Sequence, residues 1–293
     1  MKLAAVDIGT NSCRLLIAEM MGGRPVTVLK KVVTTRLGEG IQESGWLHPL
    51  AIKRTVDCLI NFREIMTGYR VEAWRVVGTS ALREAANRED CLAVAEDAGL
   101  RIQVISGEEE AYLSYLGVQH GLTLDRPPLV VDLGGGSTEF IYLNEPRLIR
   151  SVPVGAVKAS EGDWPAVRIC EAFREIFGLG ARFRENPLVL VGGTPSTLVA
   201  VKKGLAEYDP ELVHGQTLTR EDVADLYNML EAMPLELRRR LPGLQPERAD
   251  IIVKGTLIVL LIMDGLQKRE VTVSESDLLE GVIWQLAGEM VNT

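Results

Sequence analysis

The chain opens with a regular exchange between short apolar runs and amphipathic stretches. Three apolar runs separated by turns predict three consecutive strands, at residues 2–7, 13–20 and 26–33. Apolar residues then recur every three or four positions, which predicts a helix at residues 48–67. The alternation continues with predicted strands at 71–77 and 101–105 and predicted helices at 82–98 and 108–119. The first part of the chain therefore has the order β-β-β-α-β-α-β-α.

The same order starts again in the second part of the chain. Three further apolar runs predict strands at residues 129–132, 138–143 and 147–152. The remaining predicted elements are helices at 164–183, 247–264 and 276–290, a helix that follows a turn at 192–195 and runs through 203, and strands at 188–191 and 270–273. Residues 219–222, T-R-E-D, resemble a capping box with Asp in place of Glu.

A short proline-rich segment, D-R-P-P at 125–128, indicates a link between two domains. We expect the first domain at residues 1–124 and the second at 125–293. An alternative for the last helix, 276–290, is that it packs back toward the first domain.

Composition and charge narrow the class of protein. The chain has 293 residues and 46% apolar content, enough for two cores of ordinary size. No apolar run reaches membrane-spanning length, and Asp7 interrupts the N-terminal run, so we expect a cytoplasmic protein with no membrane partner. The net charge of −8 argues against binding to nucleic acid through a general electrostatic field. The cysteines and histidines lack metal-ligand spacing.

Two short segments are near-copies of each other and follow predicted buried strands. Residues 7–12 read D-I-G-T-N-S, and residues 132–138 read D-L-G-G-G-S-T. Small residues in such a turn let backbone N–H groups converge on an anion without a Cβ in the way. The pair predicts two phosphate-binding turns, formed by Gly9, Thr10, Asn11 and Ser12 and by Gly134, Gly135, Gly136, Ser137 and Thr138. Each segment alone is also compatible with a tight turn that has polar flanks.

Gly192-Gly193-Thr194 is a third turn of small residues, between an apolar strand and a predicted helix. A helix N-terminus preceded by small residues binds anions readily, so Gly193 and Thr194 are predicted to contact phosphate. An ordinary strand-to-helix turn has the same appearance, and that alternative stays open.

Charged residues near the starts of two helices suggest the groups that would act on a bound phosphate. Arg83 lies near the third position of a helix opened by Ser80, where the helix dipole disfavours a cation, so a nearby anion is predicted. The alternative is a surface ion pair with Glu84 or Glu139. Three glutamates, at 108–110, open another helix, and one of them could orient and deprotonate a water molecule.

Carboxylates beside the two turns suggest a divalent cation. Asp7 and Asp132 end the buried strands, and Glu139 follows the second turn. Asp132 and Glu139 could share a metal, with Asp7 joining through water, because hard cations prefer oxygen ligands. The alternative for Glu139 is a solvated acid at a strand end. The cation we expect is Mg²⁺ or another divalent ion such as Mn²⁺.

The repeated three-strand meander followed by α/β units resembles the organisation of the actin, Hsp70 and sugar-kinase superfamily. More specific motifs resemble the exopolyphosphatase / guanosine pentaphosphate phosphohydrolase (Ppx/GppA) family. Besides the three turns, they are G-T-S-A-L-R-E-A at 78–85, I-S-G at 105–107, E-E-A at 109–111, R-L-G-E-G at 36–40, P-V-G-A-V at 153–157 and R-A-D at 248–250. The resemblance implies two actin-like (ribonuclease H-like) α/β domains with an active-site cleft between them.

The resemblance also implies an activity and roles for four residues. Members of the family hydrolyse the terminal phosphoanhydride of inorganic polyphosphate, or the 5′ γ-phosphate of guanosine pentaphosphate, with a divalent cation. The family's catalytic glutamate matches Glu110, and its helix-opening arginine matches Arg83. Its metal-linked aspartate matches Asp132, and a second acid near the reacting phosphate matches Glu139. A homodimer is a further expectation from the family.

The sequence departs from the family pattern in three places. Longer members carry an added C-terminal helical domain, and we expect the short two-domain form here, which leaves processive action on long chains open. L-L-E-G at 278–281 replaces the family's Leu-Arg-Glu-Gly, which removes one arginine contact. Lys254 stands where a small residue or proline is usual and offers a replacement cation.

These patterns together predict an exopolyphosphatase that releases terminal orthophosphate by metal-assisted, in-line attack of water. Its predicted catalytic residues are Glu110, Arg83 and Glu139. One alternative is a guanosine pentaphosphate (pppGpp) 5′-phosphohydrolase. The alternatives of another class are an ATP-dependent small-molecule kinase and a non-catalytic sensor of polyphosphate or alarmones.

Overall fold

The computed structural model describes residues 1–145 and 147–291. The chain divides into two compact units: unit 1 is Met1–Gly117 with Leu278–Thr293, and unit 2 is Val118–Asp277. The elements up to the first crossing are β1 (Lys2–Ile8), β2 (Ser12–Met21), β3 (Arg24–Thr34), α1 (Ile41–Ser44), α2 (Pro49–Gly68), β4 (Ala73–Gly78), α3 (Ser80–Glu84), α4 (Arg88–Asp97), β5 (Ile102–Val104) and α5 (Gly107–Gly121). The last turn of α5 belongs to unit 2.

Unit 1 is built on a five-stranded sheet in the order β3-β2-β1-β4-β5. β1, β2 and β3 form an antiparallel meander, whereas β4 and β5 run parallel to β1. Both faces of β1 are buried, because Ala4, Val6 and Ile8 belong to one apolar cluster and Leu3 and Ala5 to another. β1 therefore separates two apolar cores.

The helix predicted at residues 82–98 is wrong, because the structure has two shorter helices, α3 and α4, in its place. Ala85 takes an extended backbone, with φ −69° and ψ 130°. Asn87 stabilises the break: its side-chain amide donates to Leu47 O at 3.1 Å, and its side-chain oxygen accepts from Leu47 N at 2.7 Å. This interruption leaves Arg83 in the last turn of a five-residue helix.

Unit 2 is built on a six-stranded sheet in the order β10-β11-β9-β6-β7-β8. Its elements are β6 (Leu129–Leu133), β7 (Thr138–Tyr142), β8 (Leu148–Val152), α6 (Ala156–Glu161), α7 (Ala166–Ala172), α8 (Arg174–Phe177), β9 (Leu188–Val191), α9 (Gly193–Lys203), α10 (Pro210–Val213), β10 (Thr217–Thr219), α11 (Arg220–Ala232), α12 (Leu235–Arg238), α13 (Ile252–Gly265) and β11 (Glu270–Val273). β6, β7 and β8 repeat the antiparallel meander, and β9 and β11 run parallel to β6. β10, which no sequence pattern predicted, pairs antiparallel with β11.

The single helix predicted at residues 164–183 is also wrong. The segment forms α7, α8 and a 3-10 turn at Gly180–Phe183. Phe173, at the first break, is buried with its ring 5.3 Å from that of Phe140 and 5.7 Å from that of Phe177. Aromatic packing at this break therefore overrides the helical pattern.

The capping box predicted at residues 219–222 is confirmed at the start of α11. Thr219 Oγ1 accepts from Asp222 N at 3.1 Å, and the Asp222 carboxylate accepts from Thr219 N at 2.8 Å. Asp therefore performs here the role that Glu usually has in this motif.

The C-terminal helix, α14 (Leu278–Val291), packs within unit 1. Leu279, Val282 and Ile283 of α14 are fully buried in the cluster that also contains Leu3 and Ala5. Gly281 is required in this packing, because a Cβ there would lie 1.9 Å from the carbonyl oxygen of Leu113. α14 thus completes the core of unit 1 from the other end of the chain.

Both units share one plan, in which an antiparallel meander is followed by strands parallel to its first strand. This arrangement confirms the predicted mixed α/β, actin-like fold. Within residues 1–145 and 147–291, no helix has both the length and the apolar character needed to cross a membrane.

Candidate active site

The residues predicted for the site follow the carboxyl ends of neighbouring strands. In unit 1, the 7–12 turn leaves β1, α3 follows β4, and α5 follows β5. Their strand ends are aligned, because Ile8 is paired with Gly78 and Gly78 with Val104. In unit 2, Asp132 and Val191 are paired at the ends of β6 and β9. Ligands of α/β proteins typically bind at such carboxyl edges.

The two Asp-Gly turns have the same backbone geometry, one in each unit. Gly9 N donates to Ser12 O at 2.9 Å, and Gly134 N donates to Ser137 O at 3.0 Å. The sequences 7–14 and 132–139 align without a gap, so each residue of one turn has a structural counterpart in the other. The likeness predicted from sequence therefore extends to the hydrogen bond that closes each turn.

Each turn is held by the segment that follows the third strand of its own meander. In unit 1, Thr35 N and Arg36 N donate to Asn11 O, and Gly38 N donates to Thr10 O, at 2.8–3.1 Å. In unit 2, the first N–H groups of α6, from residues 156–158, donate to Gly134 O and Gly135 O at 2.9–3.1 Å. Turn carbonyls, which would repel an anion, are thereby engaged within each unit.

Close packing explains one of the glycines around the second turn. A Cβ at Gly155 would lie 2.4 Å from the carbonyl carbon and oxygen of Gly135 and 2.6 Å from Gly136 N. The turn glycines Gly9, Gly134, Gly135 and Gly136 do not have positive φ. The P-V-G-A-V segment therefore needs its glycine for close approach to the turn rather than for a left-handed backbone.

The side chains of the predicted phosphate-binding residues differ in their hydrogen bonding. Thr10, Asn11 and Ser137 are buried. Within the described part of the chain, Asn11 Nδ2 has no hydrogen-bond partner, although Asn11 is only 8% exposed. Thr138 Oγ1, in contrast, donates to Val154 O at 2.5 Å. The Asn11 amide is thus a buried donor without a partner among the described residues, whereas the Thr138 hydroxyl joins β7 to the P-V-G-A-V segment.

The carboxylates beside the two turns have different partners. Asp7 is paired across the strands with Arg14, whose Nε and Nη2 both lie 2.8 Å from Asp7 Oδ2. Asp132 is paired across the strands with Glu139, so two carboxylates occupy the equivalent place. Glu139, which is 1% exposed, accepts from Ser151 Oγ at 2.7 Å. The first turn therefore carries an internal ion pair and the second a pair of acids.

The pair of acids in unit 2 fits a divalent cation. Residues directly opposite in an antiparallel pair point to the same face, with Cβ atoms about 5 Å apart. Mg²⁺ is usually held by one or two carboxylates and keeps several waters. No group of three or more His, Cys, Asp or Glu side chains in the described residues forms a ready-made metal cluster. The fit is therefore to a two-carboxylate site completed by water and substrate oxygens.

The Gly192-Gly193-Thr194 turn packs beside Asp132 in unit 2. Gly192 has φ 106°, and a Cβ there would lie 2.5 Å from Leu133 O and 3.5 Å from Asp132 Oδ1, so only glycine fits. Arg248 also lies against the turn, because a Cβ at Gly193 would meet its guanidinium. Thr194 is buried against Gly255 of α13.

Arg248 was not among the residues predicted for the site, yet the structure places its guanidinium at the predicted phosphate turn. Its signal in the sequence was the R-A-D motif at 248–250, which marked the family resemblance without indicating a role. Arginine suits this position because a guanidinium can donate two hydrogen bonds to a phosphate.

Arg83 and Glu110 form an ion pair in unit 1. Arg83 Nη1 donates to Glu110 Oε2 at 2.5 Å and to Ile105 O at 3.2 Å. Glu110 is buried, with 8% of its surface exposed. The partner of Arg83 is thus Glu110 rather than Glu84, which accepts from Ser80 Oγ at 2.9 Å.

The three glutamates at the start of α5 have separate environments. Glu109 caps the helix: its carboxylate accepts from Ser106 N at 2.9 Å, and its N–H donates to Ser106 Oγ at 3.1 Å. Glu108 is exposed, whereas Glu110 is buried beside Arg83. Glu110 alone therefore combines burial with a charged partner at the carboxyl edge of the sheet.

Two departures from the family pattern have plain structural roles. Lys254 Nζ lies 2.8 Å from Asp163 Oδ1 and donates to Trp164 O at 3.1 Å. A hydrogen bond from Lys254, together with its charge, lowers the pKa of Asp163. Leu279, in place of the family's arginine, is buried in the apolar cluster of α14.

Comparison with known proteins identifies the family. A model of the Ppx/GppA phosphatase family matches residues 16–290. Exopolyphosphatase 2 of Mycobacterium tuberculosis is 34% identical, with 98% of this chain and 99% of that protein aligned. A guanosine-5′-triphosphate,3′-diphosphate pyrophosphatase of Aeromonas salmonicida is 30% identical, over 97% of this chain and 59% of that protein.

Solved structures agree with the sequence comparison. A Ppx/GppA enzyme of Aquifex aeolicus has a TM-score of 0.78 and 31% identity, covering 97% of this chain and 99% of that one. An exopolyphosphatase of Cytophaga hutchinsonii has a TM-score of 0.87 and 25% identity, covering 99% and 98%. The resemblance inferred from the motifs is confirmed, and the chain belongs to the Ppx/GppA phosphatase family.

Proposed function

We propose that this protein is an exopolyphosphatase, a phosphoanhydride hydrolase that releases terminal orthophosphate from inorganic polyphosphate. The observation that carries the proposal is the part-buried Arg83–Glu110 pair, at the same sheet edge as a small-residue turn whose Asn11 amide has no partner among the described residues. Family membership supports the reaction class.

The substrate phosphates would be bound by the two turns and by Gly193 and Thr194. Backbone N–H groups and the Asn11 amide donate to phosphate oxygens, while the turn carbonyls are engaged elsewhere. Arg248, beside Gly193, adds a guanidinium to this set. Such local donors are needed because the protein as a whole has a net charge of −8 and repels a polyanion.

A divalent cation, Mg²⁺ or Mn²⁺, would be held by Asp132 and Glu139. When bound, it would neutralise phosphate charge and polarise the anhydride. The ion pair of Asp7 with Arg14 makes Asp7 a weaker ligand than the other two, so we assign it to the positioning of the first turn.

Glu110 would orient the attacking water and take its proton. The water oxygen forms a bond to the terminal phosphorus in line with the bridging oxygen, which leaves with the rest of the chain. Arg83 holds the Glu110 carboxylate in place and faces the charge that develops on the terminal phosphoryl group. No covalent intermediate is required.

The test replaces Glu110 with Gln, which keeps the size of the side chain and removes its basic oxygen. We expect Glu110→Gln to lose at least about 100-fold in kcat for phosphate release, a typical size for a general base. Binding of polyphosphate should remain, since Glu110 is not one of the phosphate donors. The matched control is Glu109→Gln, where the amide oxygen can still accept from Ser106 N, and its kcat should stay near that of the wild type. Near-normal phosphate release by Glu110→Gln would sink the assignment.

Guanosine pentaphosphate is the second candidate substrate, favoured by the 30% identity to the Aeromonas salmonicida protein. Phosphate release from long polyphosphate, short polyphosphate and guanosine pentaphosphate, compared with Mg²⁺, decides between the two. Binding without release from any of them would point to a sensor, and ATP-dependent phosphorylation of an acceptor would point to a kinase. The cytoplasmic location, the homodimer and the absence of nucleic-acid partners stay predictions.

A further inference from the structure

His214 directly follows α10 and has both ring nitrogens bonded to backbone groups in unit 2. Nδ1 faces Glu275 N at 3.1 Å, and Nε2 faces Gly121 O at 3.0 Å. A backbone N–H can only donate and a carbonyl can only accept. In this arrangement Nδ1 of His214 accepts and Nε2 donates, a pair of roles fixed by its two backbone partners.

Glu275 connects His214 to α9, because its backbone N–H donates to His214 and its carboxylate accepts from a residue of α9. Ser196, in the first turns of α9, donates through Oγ to the Glu275 carboxylate. α9 begins at Gly193, in the turn predicted to bind phosphate. One hydrogen-bonded path thus runs from the ring of His214, through Glu275 and Ser196, to the helix whose N-terminus carries that turn.

Other contacts show that the segment around Glu275 is fixed. Ser274 N donates to Leu190 O at 2.9 Å, at the end of β9. Ser274 Oγ donates to Ser276 O at 2.7 Å and accepts from Ser276 N at 3.1 Å. A Cβ at Gly121 would meet the side chain of Ser276 at 2.4 Å, so this turn of α5 packs directly on the segment. The segment that carries Glu275 is therefore bonded to β9 and packed against α5.

Tyr208 lies near the same carboxylate. Burial of the phenol, with the nearby Glu275 charge, raises the pKa of Tyr208. The residue as a whole is 42% exposed. Glu275 thus accepts from the Ser196 hydroxyl and also lies near Tyr208.

We propose that His214 is a positioning residue for the phosphate turn at the start of α9, acting through Glu275 and Ser196. The inference rests on the proposed function, because it assigns that turn to substrate binding. In this proposal the imidazole does not contact the substrate. Loss of its hydrogen bond to Glu275 N should therefore weaken substrate binding and leave the chemical step largely unchanged.

Two substitutions of His214 by amide side chains each keep one of the two hydrogen bonds of the ring, so together they test the bonds separately. In His214→Asn, the side-chain oxygen lies where Nδ1 was and can still accept from Glu275 N. In His214→Gln, the side-chain nitrogen lies where Nε2 was and can still donate to Gly121 O. Positioning through Glu275 predicts a normal KM for His214→Asn and a KM raised about fivefold for His214→Gln, the effect of one hydrogen bond of ordinary strength.

The experiment measures KM and kcat for polyphosphate, and the thermal midpoint, for the wild type, both His214 variants and Ser196→Ala. Ser196→Ala should raise KM in the same direction with kcat retained, and it tests the path if His214→Gln does not fold. A KM within twofold of the wild type for the folded His214→Gln and Ser196→Ala variants would overturn the proposal. An equal rise in KM for His214→Asn and His214→Gln would overturn it too, because the two bonds would then be equivalent.

Failure of the proposed function would be visible separately. If the wild type releases no phosphate from any substrate, that function is wrong. Calorimetric titration of the same four proteins with tripolyphosphate and Mg²⁺ then tests the path alone. The same order of affinities, with wild type and His214→Asn tighter than His214→Gln and Ser196→Ala, supports it, and equal affinities reject it.

Discussion

At the scale of single residues, the main difference between the two Asp-Gly turns is the residue paired with the strand-end aspartate, which is Arg14 in one and Glu139 in the other. Arg14 in the first turn neutralises Asp7, whereas Glu139 in the second stands opposite Asp132. An aspartate with an arginine partner is a poor site for a cation, while two adjacent carboxylates favour one. These partners are the reason that we propose a positioning role for the first turn and a metal site at the second.

We therefore predict that Glu139→Gln raises the Mg²⁺ concentration for half-maximal phosphate release about tenfold, as loss of a close metal-site group typically does. The measurement is a Mg²⁺ titration at saturating polyphosphate. Ser151→Ala, which removes a hydrogen bond to Glu139 but keeps its charge, should shift the midpoint less. Glu108→Gln, on an exposed acid of α5, is the control and should leave it unchanged. An unaltered Mg²⁺ midpoint in Glu139→Gln would contradict the assignment.

The sequence identified these residues better than it identified their partners. The strand-end aspartates and the glycines were visible because their order repeats along the chain. The choice among the glutamates at 108–110 came from family resemblance, and the structure gives the physical reason: Glu109 is used as a cap and Glu110 is buried beside Arg83. Such pairings depend on residues far apart in sequence, which no local pattern reports.

At the scale of elements, the start of α6 supports the second turn. Its N–H groups donate to Gly134 O and Gly135 O, and Gly155 makes the approach possible. We predict that Gly155→Ala lowers the free energy of unfolding by about 1–3 kcal/mol, the usual effect of overpacking a closely packed site. It should also lower kcat/KM, because the phosphate turn must move to admit the methyl group.

Urea unfolding and phosphate-release kinetics measure both effects. The matched control is Gly288→Ala in α14, where an added Cβ meets nothing within 4 Å. That variant should gain about 0.5–1 kcal/mol from the better helix propensity of alanine and keep normal kinetics. Equal behaviour of the two variants would show that close approach at Gly155 is unimportant.

Strands were predicted more accurately than helices, for a physical reason. Buried strands such as β6 and β9 are short apolar runs that end at glycine turns, so the local sequence is enough to predict where they begin and end. The two wrong helices failed where a distant partner intervenes: Leu47 binds Asn87 in one, and Phe140 packs on Phe173 in the other. β10 was missed because three residues carry too little pattern.

At the scale of the whole molecule, unit 1 is assembled from two separate stretches of the chain, whereas unit 2 is continuous. The proline-rich segment at 125–128 lies in the loop after α5, while the division between the units falls within α5 itself, between Gly117 and Val118. The proline-rich composition of this segment predicts a loop in the backbone, not a boundary between units. Membership of a unit depends on which core the side chains enter, and that is decided by packing across the chain.

The last helix gives the sharpest test of this organisation. Ile283 of α14 is fully buried with residues of β1, β2 and β4, all in unit 1. Ile283→Ala should lower the stability of unit 1 by about 2–5 kcal/mol, the usual cost of such a cavity. Hydrogen exchange followed by mass spectrometry should show lost protection in β1, β2 and β4, with β6 and β9 little changed. Val167→Ala, at a position 65% exposed on α7, is the control and should alter neither set. Equal loss of protection in both units would mean that they unfold as one, because the cavity lies in the core of unit 1 alone.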